Sequence, residues 1–153
     1  MSLADKQARL VAELGTMKNS QERFAYVVRR GREYACLPAE SKTEKNRIEG
    51  CLAKVWLVER FESGRCYFAT DSDSAIVKGI AVILCEFYSG ELPADILGSN
   101  PSFLEQVGIN QHLTPNRRDS LTKIWGRIRA FSENYTGCRS ASNFSSPPGV
   151  GGF

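Results

Sequence analysis

Ala53-Lys54-Val55-Trp56-Leu57-Val58-Glu59-Arg60-Phe61, Glu62-Ser63-Gly64-Arg65, Cys66-Tyr67-Phe68-Ala69-Thr70 and Asp71-Ser72-Asp73-Ser74 follow one another in the middle of the chain, and Ala75-Ile76-Val77-Lys78-Gly79-Ile80 comes next. Val55 and Leu57 alternate with Trp56 and Val58, the period-two pattern of a strand with two different faces. The four-residue link at 62–65 is short and contains glycine, so 53–61 and 66–70 are expected to form a hairpin. Asp71 to Ser74 is a dense cluster of helix-capping residues ahead of an apolar run. The run Ala75 to Tyr88 carries Ile76, Val77, Ile80, Val82, Ile83, Leu84 and Phe87 on nearly every side. A helix apolar around most of its circumference belongs at the centre of a fold, buried against the sheet.

Outward from this hairpin and helix the chain is helical. Leu3, Leu10 and Leu14 form a stripe that Gly15 ends, and Asn19 with Glu22 marks the start of a second helix. That helix is expected to run to about Cys36, with Phe24, Val27, Val28 and Gly31 inward, and Pro38 stops it. Residues 39–45 read as a loop, and Arg47-Ile48 as a short extended piece. On the other side, Leu92-Pro93 and Asn100-Pro101 resemble short-helix starts. Thr114-Pro115 opens a long terminal helix with Leu121, Ile124, Trp125 and Ile128 at helical spacing. Helices, strands, helices is an α+β order. The expected fold is a small antiparallel three-stranded sheet with helices packed on one face. Residues 1–136 read as a single domain, and 137–153 as a flexible tail rich in serine, glycine and proline.

A chain of 153 residues with a net charge of +3 and a sequence pI near 8.6 is only mildly basic. Nucleic acid is not the default partner for such a chain. Five cysteines stand at irregular spacing, and no Cys-x-x-Cys pair offers a zinc ribbon or a dithiol redox motif. Asp5, Lys6 and Arg9 interrupt any leader-like apolar run, and Ile80 to Cys85 is too short to span a bilayer. Reduced thiols, no membrane and a cytoplasmic setting are the expectation.

One cysteine stands apart. In Asn46-Arg47-Ile48-Glu49-Gly50-Cys51-Leu52-Ala53-Lys54 a glycine precedes the thiol and a strand follows it. That context presents the sulfur on a tight turn. Arg47 and Lys54 are close in sequence, and nearby positive charge favours a thiolate. The residues point to sulfur chemistry by a single nucleophile, against the plain alternative of a small buried cysteine. Ile48, Leu52 and Trp56 are the apolar neighbours expected to shelter it. Cys66 and Cys85 read as core, and Cys36 and Cys138 as incidental. A sharper alternative gathers Cys51, Cys66, Cys85 and His112 as ligands for zinc or an iron–sulfur cluster.

Three segments together resemble the SufE family of cysteine desulfuration proteins. They are Ile48-Glu49-Gly50-Cys51 through Val55-Trp56, Asp71-Ser72-Asp73-Ser74-Ala75-Ile76-Val77-Lys78-Gly79, and Gln111-His112-Leu113-Thr114-Pro115-Asn116-Arg117. The resemblance covers roughly residues 5 to 130. It implies a fold shared with the IscU/NifU cluster scaffolds. It also implies a partnership with a pyridoxal-phosphate cysteine desulfurase of the SufS/CsdA kind, whose persulfide sulfur would be taken onto Cys51. The sulfur would then pass to an iron–sulfur assembly scaffold, and the desulfurase would be stimulated. No cofactor of the chain's own is implied, and a monomer or weak dimer is expected. Whether to class such a protein as an enzyme is open, since turnover would belong to the partner. Leu52 stands where the family commonly has glutamine, and Lys54 where it has a small or polar residue. An IscU/NifU-like metal-binding scaffold is the alternative function.

Other residues divide between structural and partner-binding readings. His112 reads as a loop residue ahead of the last helix, or as a general acid–base group. Asp71 and Asp73 read first as helix caps, with a further role in holding the Cys51 loop through the adjacent strand end. Arg117 and Arg118 lie in the first turn of a helix, where the dipole disfavours positive charge. That placement suits an acidic surface on another molecule, or two solvated arginines.

Overall fold

The computed structural model describes residues 2–102, 104, 109 and 113–141, with side chains to 136. Helix α1 (Leu3–Gly15) is capped by Ser2, whose hydroxyl accepts from the Asp5 N–H while the Asp5 carboxylate accepts from Ser2 N. Helix α2 (Ser20–Glu33) starts at Asn19, whose side chain accepts from Glu22 N at 2.9 Å. It stops at Glu33, short of the expected Cys36. Tyr34 turns extended, its carbonyl accepts from Lys78 Nζ, and Leu37 N–H donates to Asp71. These long-range bonds compete with further helix. Phe24, expected inward, is 36% exposed on the outer side of α2.

Strands β1 (Val55–Glu62) and β2 (Arg65–Ser72) pair antiparallel, with Val55 opposite Ser72 and Glu62 opposite Arg65. Ser63 and Gly64 both have positive φ (52° and 80°), as a two-residue turn matched to strand twist requires. The expected third strand is absent among the described residues: the sheet has two strands. Isolated bridges extend it at either edge: Arg47 to Trp56 beside β1, through Ile48 N to Val55 O and Leu57 N to Asn46 O, and Cys66 to Glu91 beside β2. The chain bends away at Gly50, where φ is +86°, so the pairing cannot continue.

Helix α3 (Ala75–Tyr88) is buried at every residue except Ala75 and Glu86. Of the capping cluster before it, Ser74 is the cap, accepting from Val77 N, and the expected capping role of Asp71 and Asp73 is not observed. α2 crosses α3 through two glycines. A Cβ at Gly79 would lie 2.0 Å from the Val27 carbonyl oxygen, and one at Gly31 would lie 2.8 Å from Ala75 O. Backbone meets backbone there, which fixes the N-terminal half of α3.

After the short α4 (Pro93–Leu97), α5 (Pro115–Ala141) closes the fold. Leu121, Ile124 and Ile128 are buried, Trp125 stacks on Tyr88, and Phe131 meets Phe68 edge-on. Arg127 reaches back to Glu59 and to the carbonyls of Lys45 and Arg47, which ties the helix to the segment before Gly50. The expected tail from 137 overlaps the last five residues of α5; residues 142–153 lie outside those described. The architecture is α+β, with helices laid on a two-stranded antiparallel sheet. Among the described residues no helix is long and apolar enough to cross a membrane.

Candidate functional site

Cys51 sits on the loop 49–54 at the rim of the hairpin, between the Arg47–Trp56 bridge and the start of β1. The loop is held at three points. At its base Ile48 N donates to Val55 O at 2.8 Å, and Ile48 itself is buried. On the α3 side Lys54 N donates to Asp73 Oδ1 at 2.9 Å, and Asp73 N returns a bond to Lys54 O at 3.1 Å. On the α5 side Lys123 Nζ donates to Gly50 O at 3.1 Å and to Asp119 at 2.8 Å. Three separate elements therefore set the position of one short loop.

Gly50 is favoured by its backbone conformation, and a side chain there would also push the flexible end of Lys123 aside. Its φ of +86° lies where side chains are strained, and a Cβ would meet Lys123 Nζ at 2.7 Å. Cys51 is half-buried and packs against the hydrophobic core. Leu52, beside it, is 81% exposed and points away from that shelter. Trp56 is half-buried, with the Lys42 ammonium 5.4 Å from its ring centroid.

Next to the loop lies a groove of about 240 Å³ lined by Leu52, Ala53, Val77, Thr114, Arg117 and Ser120. Thr114 caps α5 by accepting from Arg117 N. Arg117 faces this groove while its guanidinium lies 5.9 Å from the Phe24 ring centroid. Arg118 is exposed. His112 lies outside the described residues.

Asp71 belongs to a different structure, a buried charge cluster. It is 2% exposed, and its carboxylate accepts from Leu37 N and Ser72 N and pairs with Lys42 and Lys78. Burial pushes its pKa up, but the Leu37 N–H, Lys42, the Ser72 N–H and Lys78 outweigh it and hold the carboxyl below its usual value. Direct contact between Asp71 and a partner is closed off by that burial. Asp73 alone of the two holds the Cys51 loop.

The remaining cysteines have other surroundings. Cys66 and Cys85 are fully buried. Burial pushes the Cys66 thiol up to about 11 against an opposing hydrogen bond from Ser132. Burial, with the Glu59 charge adding to it, pushes the Cys85 thiol higher still. Both remain protonated at neutral pH. Cys36 is exposed, 3.9 Å from Lys78 Nζ. Among the described residues no three histidine, cysteine, aspartate or glutamate side chains converge on a metal-binding position.

Sequence reasoning missed Lys123 and Asp119. They lie one turn apart on α5, and Lys123 is 73 positions from Gly50, whose carbonyl is an anonymous acceptor. The spacing of Asp119 and Lys123 signals a helical ion pair, but nothing local in sequence says what else the lysine reaches.

The family model described as SufE, an Fe-S metabolism associated domain, matches residues 8–132. The chain belongs to the SufE family. The matched span holds the hairpin, α3, the Cys51 loop and most of α5, so the SufE domain includes every element that positions the site. Among solved structures, the chain is similar to the solution structure of a hypothetical protein from Thermus thermophilus. The TM-score is 0.71 at 19% sequence identity, covering 86% of this chain and 96% of that one. At that identity the likeness speaks for the fold. Membership associates the SufE domain of this chain with iron–sulfur metabolism.

Proposed function

We propose that this protein accepts sulfane sulfur on Cys51 from the persulfide of a cysteine desulfurase and delivers it to iron–sulfur cluster assembly. The observation that carries the reading is the setting of Cys51: a half-buried sulfur on a loop pinned from three sides, beside an open groove. A sulfur carrier needs a thiol that can be reached and then sheltered. Cys66 and Cys85 cannot be reached, and exposed Cys36 lacks the apolar backing that Cys51 has.

The chemistry is thiol–disulfide exchange applied to a persulfide. The Cys51 thiolate attacks the terminal sulfur of the donor's Cys–S–SH. A new S–S bond forms on Cys51, the donor's S–S bond breaks, and the donor cysteine leaves as a thiolate with the bonding electron pair. No oxidant or reductant is consumed. The cofactor of the overall reaction, pyridoxal phosphate, belongs to the desulfurase. Removing sulfur from the donor frees it for another turnover, which is how the carrier stimulates its partner.

The groove supplies a place for the donor's loop. Leu52 offers an apolar contact, and Arg117 a positive one for an acidic neighbour. The exposed Arg118 extends that positive charge past the rim.

The test is mass spectrometry after incubation with a cysteine desulfurase and cysteine. One added sulfur is expected on the peptide containing Cys51, with none in Cys51→Ser and the stimulation of cysteine turnover lost with it. Sulfur landing on Cys36 instead, or stimulation surviving in Cys51→Ser, would overturn the reading.

A further inference from the structure

Lys123 touches the Cys51 loop, and the carrier reading leaves it unused. Its ammonium holds the carbonyl of Gly50, the oxygen of the peptide unit that joins Gly50 to Cys51. Its methylenes lie along the same glycine, since a Cβ there would meet Cε at 3.0 Å and Cδ at 3.5 Å. The side chain is 36% exposed and steered by Asp119. A neutral carbonyl is a modest partner for an ammonium, and a full negative charge in the same place is a stronger one.

We propose that Lys123 is the counter-ion of the sulfur cargo: when Cys51 carries a persulfide, the Lys123 ammonium turns from the Gly50 carbonyl to the terminal sulfur anion. This rests on the carrier reading. After transfer, the terminal sulfur of Cys51–S–SH gives its proton to solvent and leaves Cys51–S–S⁻. The new S–S bond carries the charge about 2 Å beyond the original sulfur. The flexible four-carbon stem of lysine can follow it.

The contact favours the ionised persulfide. The other charged groups around the loop are Asp119 on α5, Asp73 ahead of α3, Glu49 and Lys54 within the loop, and Arg117 across the groove. Asp119 first, with burial opposing and Cys51 adding, raises the Lys123 pKa, so the cation persists throughout the range in which a persulfide ionises.

The experiment uses the full chain without any desulfurase. Cys51 is loaded anaerobically with inorganic polysulfide, excess is removed, and iodoacetamide labelling is followed against pH by peptide mass spectrometry. Labelled persulfide and labelled thiol at Cys51 differ by one sulfur mass and are read separately. Lys123→Met keeps the stem and removes the charge. It is expected to move the persulfide profile to higher pH, slowing labelling about tenfold below the midpoint. The profile of the unloaded Cys51 thiol should move by less than that of the persulfide, because there the ammonium is engaged with Gly50 and Asp119. Lys123→Arg should retain the wild-type persulfide profile. A persulfide profile indifferent to Lys123→Met, or equal shifts for thiol and persulfide, would overturn this inference alone. Failure of the wild-type Cys51 to hold polysulfide sulfur would overturn the carrier reading along with it.

Discussion

Cys51 and Cys85 carry the same atom into opposite surroundings. Cys85 lies inside α3, fully buried, and its thiol is kept protonated by lack of solvent and by the nearby Glu59 charge. Cys51 lies on a loop fixed by hydrogen bonds to three other elements, half-covered by the core, and its neighbours Leu52 and Ala53 line a groove. The core holds its cysteine by close packing, which leaves no route to the sulfur. The rim holds its cysteine by directed polar contacts, which position the sulfur without enclosing it. The proposed sulfur transfer would need the second arrangement, and the first supplies the rigid frame on which it is mounted.

Substitutions in the frame should affect stability, and those in the loop should affect chemistry. The largest stability loss is expected for Gly79→Ala, where the new methyl would meet the Val27 carbonyl at 2.0 Å. Overpacking commonly costs about 1–3 kcal/mol, and a backbone obstacle puts this case at or above about 3 kcal/mol. Urea denaturation checks it, with the midpoint expected to fall sharply. A near-neutral result would mean that the two helices separate easily.

Asp71→Asn comes next, at about 2–3 kcal/mol, because it removes the charge that Lys78 and Lys42 face in a buried setting. The same carboxyl gives a pH signature. Its folded pKa is lowered, so its contribution is fully present above the ordinary value of 3.8 and is lost as pH falls from there through the folded value. Acid titration of wild type against Asp71→Asn should therefore show the two stabilities converging only below about pH 4.

Cys85→Ser buries a hydroxyl in the core and should cost about 2 kcal/mol in denaturation, with sulfur acceptance intact in folded protein. Cys51→Ser should change stability by less than about 0.5 kcal/mol while abolishing acceptance. If both variants lost acceptance together, the separation of frame and site would be wrong. Between these lies Gly50→Ala, at about 1 kcal/mol for the positive φ, with slower loading because the Lys123 contact is displaced.

Much of this organisation was legible in residues. The hairpin was readable from the alternation at Val55 to Val58 and the short glycine-containing link at 62–65, and α3 from a capped run apolar on nearly every side, because both signals are local. The third strand was overestimated because Arg47-Ile48 does pair, but Gly50 turns the chain before a second pair can form. Asp71 was misread as a cap because its type and position suit one. What makes it a buried ion-pair centre is Lys42 and Lys78, brought together from two other segments. Phe24 matched the inward stripe of α2, yet it lies under Arg117 of α5 at the surface, and no periodicity within α2 can see that neighbour.

Which cysteine stands on a glycine turn, which helix is central and the α+β order can all be read from residue order, since each follows from neighbours within a few positions. Tertiary structure alone decided what surrounds that cysteine: Asp73 on one side, Lys123 on the other and a groove between α3 and α5. The reason is physical. Backbone carbonyls and amides are the same at every residue, so a lysine's choice of the Gly50 oxygen is set by where folding carries its helix, not by any letter in the chain.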